Sequence, residues 1–167
     1  MTNIDTTAQT FQGIPVQVWQ EAYRYDPDTG TIRHREDRPE GHFATAVGFK
    51  RWKSRCAGKV ATSDPGNGYL LAKLTYQGGK RVTAKAHRLA WLLHYGEAPA
   101  GGMQIDHVNG DKADNRISNL RLVSHAENGR AFHQPRGGAS QYRGVVWNKR
   151  DGRWLAQIKH NGTRRNL

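Results

Sequence analysis

Cysteine is nearly absent from this chain. Its one residue, Cys56, excludes an intrachain disulfide framework and any cysteine-built zinc site. Long apolar runs are absent too, and none approaches the ~20 residues that a membrane-spanning helix requires. Met1-Thr2-Asn3-Ile4-Asp5 lacks the basic and apolar regions of a secretory leader. An intracellular, cytoplasmic protein is therefore expected. Acidic residues are scarce: 14 Asp and Glu stand against 26 Lys and Arg in 167 residues, a formal charge of +12. That balance favours polyanions, above all nucleic acid, and steers association with them. An anionic membrane surface is the competing partner, but the sequence holds no basic amphipathic helix of the needed length, so no membrane contact is expected.

The length suits one ordinary domain or two small ones. Residues 1–12 are polar and read as a disordered tail. Val16-Gln17-Val18-Trp19 leads into Tyr23-Arg24-Tyr25, and Asp26-Pro27-Asp28-Thr29-Gly30 is a turn before Thr31-Ile32-Arg33, which predicts a hairpin of short alternating runs. Residues 13–68 are thus expected to be strand-rich and basic. Lys50, Arg51, Lys53 and Arg55 surround Phe49 and Trp52. They read either as a phosphate-contacting arm with an aromatic to stack on a base, or as a solvated loop with a few core rings. Residues 69–76 and 81–83 read as strands. Ala86, Leu89, Ala90 and Leu93 then repeat at helical spacing up to Gly96. His87 and His94 flank this helix and read as satisfied structural histidines or as ligands, and Arg88 as a phosphate contact or a solvated charge.

The polar chemistry concentrates between Ile105 and Asn128. Met103 to His107 is a short extended run turned by Asn109-Gly110-Asp111, and Leu120 to Val123 is its partner strand. Ser124 and Glu127 have capping-box spacing and predict a helix that carries Asn128. Phosphodiester hydrolysis needs a general base, charge neutralisation and help for the leaving oxygen. His107 offers the base, because an imidazole with a pKa near ~6.5 accepts a proton at neutral pH. Asn119, opposite it across the hairpin, would orient the ring, with Asn115 as the substitute. Asp106 and Asn128 offer the oxygen donors that a hard divalent cation prefers. Asp106 and His107 are strand neighbours whose side chains ordinarily point to opposite faces, so a shared site needs the strand to end or twist there. Asp111 and Asp114 read as loop-structuring residues.

Ile105-Asp106-His107, Asp114-Asn115-Arg116, Asn119-Leu120-Arg121 and Asn128 resemble the ββα-metal motif of HNH endonucleases, in the phage and homing type where asparagine replaces the final histidine. His87-Arg88-Leu89-Ala90-Trp91 extends the resemblance over residues 69–130. It implies one Mg²⁺ or Mn²⁺ held by Asp106 and Asn128, His107 as base with Asn119 behind it, support from Asn115 and Asp114, and products with 5′-phosphate and 3′-hydroxyl ends. A phage-encoded protein would act in a bacterial cytoplasm. Residues 131–140, rich in Gly and Pro, read as a linker. In 141–167, Tyr142-Arg143-Gly144-Val145, Trp147 and Arg153 to Ile158 resemble the first two strands of the Apetala-type (ethylene-response-factor) DNA-binding domain. That resemblance implies DNA-facing roles for Arg143, Trp147, Arg150, Gln157 and Lys159, with the third strand and helix missing.

The fold class expected is therefore α+β: a strand-rich N-terminal region, a ββα-metal core and a truncated β DNA-binding segment. Double-stranded DNA is the expected partner, and no protein partner is inferred. A non-catalytic DNA-binding protein on a degenerate HNH fold is the alternative. An RNA role has no recognition motif in its favour.

Overall fold

The computed structural model describes residues 9–77, 79–131, 140, 144–160 and 163–166. Its chain divides into two compact units, residues 1–124 and 125–167.

The first unit opens on two minimal strands, β1 (Thr10–Phe11) and β2 (Ile14–Pro15), paired antiparallel. Residues 9–12 therefore leave the expected disordered tail. Phe11 is buried, its ring meets Trp19 edge-on, and its carbonyl accepts the Trp19 indole N–H at 3.0 Å. Val16 to Ala22 form helix α1 rather than part of an extended run. Val16 and Val18 satisfy an alternating pattern, but Val16, Trp19 and Ala22 lie three apart and all are buried on one helical face. At seven residues α1 is too short to hold itself in water, so packing of Trp19 stabilises it.

Strands β3 (Tyr23–Asp26) and β4 (Thr31–His34) form the expected hairpin. Helix α2 spans Ala46–Cys56, in the stretch read as a phosphate-contacting arm or a solvated loop. Thr45 starts it by accepting the Gly48 N–H, and Lys53 and Arg55 in its last turn suit the negative end of the helix dipole. With α1 and α2 present, residues 13–68 are a helix–strand mixture, a correction to the strand-rich expectation. Strand β5 (Thr62–Ser63) precedes the long hairpin of β6 (Leu71–Tyr76) and β7 (Lys80–Lys85), in sheet order β5-β6-β7. Helix α3 (Ala86–Tyr95) follows directly and ends on left-handed Gly96. Leu74, Ala84, Leu89 and Leu92 join Trp19, Tyr23 and Ile32 in one core.

Strands β8 (Met103–His107) and β9 (Leu120–Ser124) pair from Met103↔Ser124 to His107↔Leu120. The second unit begins with helix α4 (His125–Ala131), whose first turn holds Glu127. It continues with β10 (Val145–Asn148), β11 (Arg153–His160) and β12 (Thr163–Asn166), a three-stranded antiparallel sheet. The third strand expected to be missing is thus present, paired from Gln157↔Asn166 to His160↔Thr163. Most of the expected linker, residues 132–139, and Arg143 lie outside the described residues. No helix among the described residues is long and apolar enough to cross a membrane.

Candidate active site

The β8–β9 loop is built almost entirely from short polar side chains closing on nearby backbone. The Asn109 carboxamide oxygen accepts the Asp111 N–H at 2.8 Å, and the Asp111 carboxylate accepts the Ala113 N–H at 2.9 Å. Asp114 takes a forked hydrogen bond from Arg116 (2.9 and 2.6 Å) and one from the Asn109 side chain (2.9 Å). The Arg116 guanidinium holds the Asp114 carboxyl down at about 2, so it stays a charged strut. Both aspartates therefore structure the loop.

The first unit's N-terminal half clamps this loop from outside. The Tyr25 hydroxyl donates to the Asn115 carbonyl at 2.7 Å, and the Ile117 N–H donates to the Pro27 carbonyl at 3.1 Å. Gly30, at φ +71°, lies so close that a Cβ there would stand 2.6 Å from the Arg116 nitrogen. Nothing local in the sequence announces this contact, which joins residues about ninety positions apart.

His107 closes β8 and is only 6 % exposed. Its ring meets His87 of α3 edge-on at 5.0 Å and Tyr69 at 6.2 Å. Burial pushes its pKa below the ordinary imidazole value, while Asn115 and the carboxylates of Asp106, Asp111 and Asp114 pull the other way. The ring is therefore neutral at physiological pH, the state a base requires. Its Nε2 is buried without a hydrogen-bond partner. His87 is itself pushed down to about 3 by burial and by its histidine neighbour, so it packs as a neutral ring.

Asn119, foreseen as the orienter of His107, is bonded to loop backbone. Its side-chain oxygen accepts the Asn109 N–H at 3.0 Å, and its NH₂ donates to the Asp114 carbonyl at 2.8 Å. Both ends of the amide are spent on the loop. Asn115, 2 % exposed, is among the groups that favour the protonated form of His107. Its NH₂ donates to the Ala113 carbonyl, and its oxygen meets no partner within ordinary hydrogen-bond geometry.

Asp106 lies opposite Arg121 in the register. Its Oδ2 accepts from Arg121 Nε at 3.0 Å and Nη2 at 2.7 Å. His107 packs on α3 while Asp106 pairs across the strands, the opposed directions expected of strand neighbours. Among the described residues no group of three His, Cys, Asp or Glu could hold a metal ion alone. The donor chemistry still fits a Mg²⁺-like ion, which keeps water and substrate oxygens and needs only one or two protein oxygens. Asp106 supplies such a carboxylate, with Oδ1 outside the Arg121 pair. Asn128 is the fourth residue of α4, in the second unit.

Two lysines passed over in the sequence flank the same place. Lys85 Nζ stands 4.4 Å and Lys112 Nζ 4.9 Å from the centre of the Tyr69 ring, which also meets His87. Among the residues expected to touch DNA, Lys50, Arg51, Lys53 and Arg55 are exposed on α2. Arg88 is exposed too, with its guanidinium 5.7 Å from the centre of the Phe11 ring. In the second unit Trp147 meets Trp154 edge-on across β10–β11, both exposed. Arg150 lies in the exposed turn after Asn148, and Gln157 donates to Asn166 across β11–β12. Lys159 lies on β11, and its side chain is outside the described atoms.

Residues 84–130 match the HNH endonuclease family model. This HNH segment runs from the end of β7 through α3 and the β8–β9 hairpin into α4. Over 85 residues the chain is 31% identical to the DNA endonuclease I-HmuI of Bacillus phage SP01, covering 51% of this chain and 48% of that one. It is 28% identical over 83 residues to Protein 3.8 of Escherichia phage T7, covering 50% of this chain and 68% of that one. The chain thus spans about half the length of the first of these relatives. A solved structure described as DNA binding and cleavage by the HNH homing endonuclease I-HmuI is similar with a TM-score of 0.45 at 27% identity, covering 65% of this chain and 50% of that one. The HNH match and the likeness to a phage DNA endonuclease support a nuclease.

Proposed function

We propose that this chain is a divalent-metal-dependent endonuclease of the phage or homing kind that hydrolyses phosphodiester bonds of double-stranded DNA. His107 carries the reading. It is a neutral, buried imidazole with an unpartnered ring nitrogen, at the end of a strand inside the HNH segment. It takes the proton from the attacking water as the water oxygen bonds to phosphorus and the bond to the 3′ oxygen breaks. The products are a 5′-phosphate and a 3′-hydroxyl. Asp106 and Asn128 would hold one Mg²⁺ or Mn²⁺, which would supply charge neutralisation for the phosphoryl and leaving oxygens. Asn115 and Asn119 fix the loop behind His107, and Lys85 and Lys112 add positive charge where the phosphate must approach. Lys50, Arg51, Lys53, Arg55 and Arg88 supply backbone affinity. The β10–β12 sheet, in this reading an Apetala-like reader, presents Trp147, Arg150, Gln157 and Lys159, with Arg143 just before it.

Plasmid nicking tests this. Wild type converts supercoiled DNA to nicked or linear form with Mg²⁺ or Mn²⁺, and EDTA stops it. His107→Ala lowers the rate by about 10²- to 10⁴-fold, the usual contribution of a positioned base, with DNA binding retained. One observation favours a second reading. Arg121 already occupies an oxygen of Asp106, as in a degenerate site that binds DNA without cutting it. Binding without cleavage across a panel of divalent metals would decide for that alternative.

A further inference from the structure

A cleft of about 480 Å³ lies between α2 and the turn end of the β6–β7 hairpin. Its walls include the rings of Phe43, Trp52 and Tyr76, and Arg51, Arg55 and Arg81 also line it. None of its lining residues is acidic. The smaller cleft on β3–β4 differs, because Asp26 stands there among Arg24 and Arg33.

Beneath the aromatic wall lies an unusual charge. Arg38 is 3 % exposed, yet no carboxylate among the described residues pairs with it. Its Nη2 donates to the Thr75 carbonyl at 2.6 Å and its Nε to His42 Nδ1 at 3.3 Å. Its guanidinium stacks on Phe43 at 4.5 Å and Trp52 at 5.2 Å. Glu21 reaches it only through the His42 ring, whose Nε2–H donates to the Glu21 carboxylate at 2.8 Å. A buried cation without an ionic partner is costly, and a nearby anion offsets that cost. The Trp52 indole N–H is also buried without an acceptor. Helix α2 buries none of its eleven residues fully, so its aromatic side is packed on one flank and open on the other.

We propose that this cleft is a second DNA-backbone site, holding a phosphodiester group away from the cut between Arg51, Arg55 and Arg81. The Trp52 N–H donates to a phosphate oxygen, and Arg38 supplies charge from below. The inference rests on the DNA-cleaving reading of His107 and adds a position to it. The six residue pairs of β6–β7, from Leu71↔Lys85 to Tyr76↔Lys80, separate the cleft from the Lys85 end of the hairpin next to His107. Five steps of ~3.3 Å put the two sites about 17 Å apart along the hairpin. With ~3.4 Å of duplex axis per nucleotide of a strand, a hairpin lying along that axis puts the held group roughly five nucleotides from the scissile one.

Cys56, the single cysteine, also lines the cleft and is unpaired, which gives a direct probe. The full-length protein is alkylated with a maleimide in EDTA, with and without a 30-bp duplex that gel retardation shows to be bound. Bound duplex should slow Cys56 alkylation at least five-fold. Arg55→Ala with Arg81→Ala should cut the slope of log K against log salt by about 0.9 for the phosphate lost, and the two lysine replacements should restore it. Trp52→Phe keeps the ring and should weaken binding two- to five-fold. An unchanged alkylation rate on bound DNA, or an unchanged salt slope in the double variant, overturns this inference while leaving cleavage at His107 standing. Failure of wild type to bind or nick duplex DNA overturns the nuclease reading instead. Protection of Cys56 by single-stranded RNA but not by duplex would reassign the cleft and overturn the proposal.

Discussion

At the scale of single residues, the site is set by which polar atoms are already taken. Asn119 directs both ends of its amide to loop backbone rather than to His107. Asp106 keeps one oxygen for Arg121, whose cation competes with any metal for the carboxylate. Arg121→Ala should therefore lower the Mg²⁺ concentration needed for half-maximal nicking several-fold. It should cost little stability, since a half-exposed ion pair contributes about 0–1 kcal/mol. An unchanged metal titration would remove Asp106 from the metal site. His87 gives a prediction about pH. Its pKa is pushed down to about 3 in the folded protein, against ~6.5 in an unfolded chain. Between those values the unfolded chain binds a proton that the folded chain refuses, so stability falls as pH drops from about 6.5 and is level above it. The slope for one such group is at most about 1.4 kcal/mol per pH unit. His34, pushed down to about 4 by burial, acts in the same direction. Urea unfolding at pH 7.5, 6 and 5 reads the slope, and His87→Phe should reduce it.

At the scale of elements, the β3–β4 hairpin is a positioning device for a loop far away in sequence. Its turn holds the Asn115–Ile117 segment through Tyr25, Pro27 and the space left open at Gly30. Gly30→Val should displace that segment, because its Cβ would meet backbone at 2.6 Å in a left-handed conformation that valine avoids. The expected result is at least ten-fold slower nicking and a stability loss on the order of 1–3 kcal/mol. Nicking at the wild-type rate would show that the clamp does not position the site. The hairpin itself was legible in the sequence, since Asp26-Pro27-Asp28-Thr29-Gly30 is strong turn chemistry. What it clamps was not, because a turn motif carries no information about its distant neighbour. Helix α1 is ambiguous in the sequence for a related reason: Val16 and Val18 fit either period over so short a span, and Trp19 decides between them only once its pocket exists.

At the scale of the whole molecule, the excess of twelve positive charges should dominate affinity for DNA. A protein that neutralises six to ten phosphates loses about 10³- to 10⁵-fold in affinity between 50 and 200 mM salt. Filter binding across that range should give a steep negative slope, and a flat response would exclude the polyanion as partner. The charge is also organised, with carboxylates neutralising arginines at Asp106, Asp114 and Asp37 while the α2 cleft holds arginines without acids.

The sequence by itself determined the β8–β9 hairpin, α3, the loop-building roles of Asp111 and Asp114, and His107 as the group to test. These rest on local patterns of apolar period, Asx turns and short spacings, which neighbouring residues alone can express. Only the tertiary structure decided that the Asn119 amide is bonded to loop backbone. It also decided that His87 and Tyr69 pack on His107, that Arg121 pairs with Asp106, and that Arg38 lies buried beneath a basic cleft with no carboxylate among the described residues on it. Each of these depends on contacts between distant segments, and burial, which makes the charge and protonation of such groups matter, exists only after those segments meet.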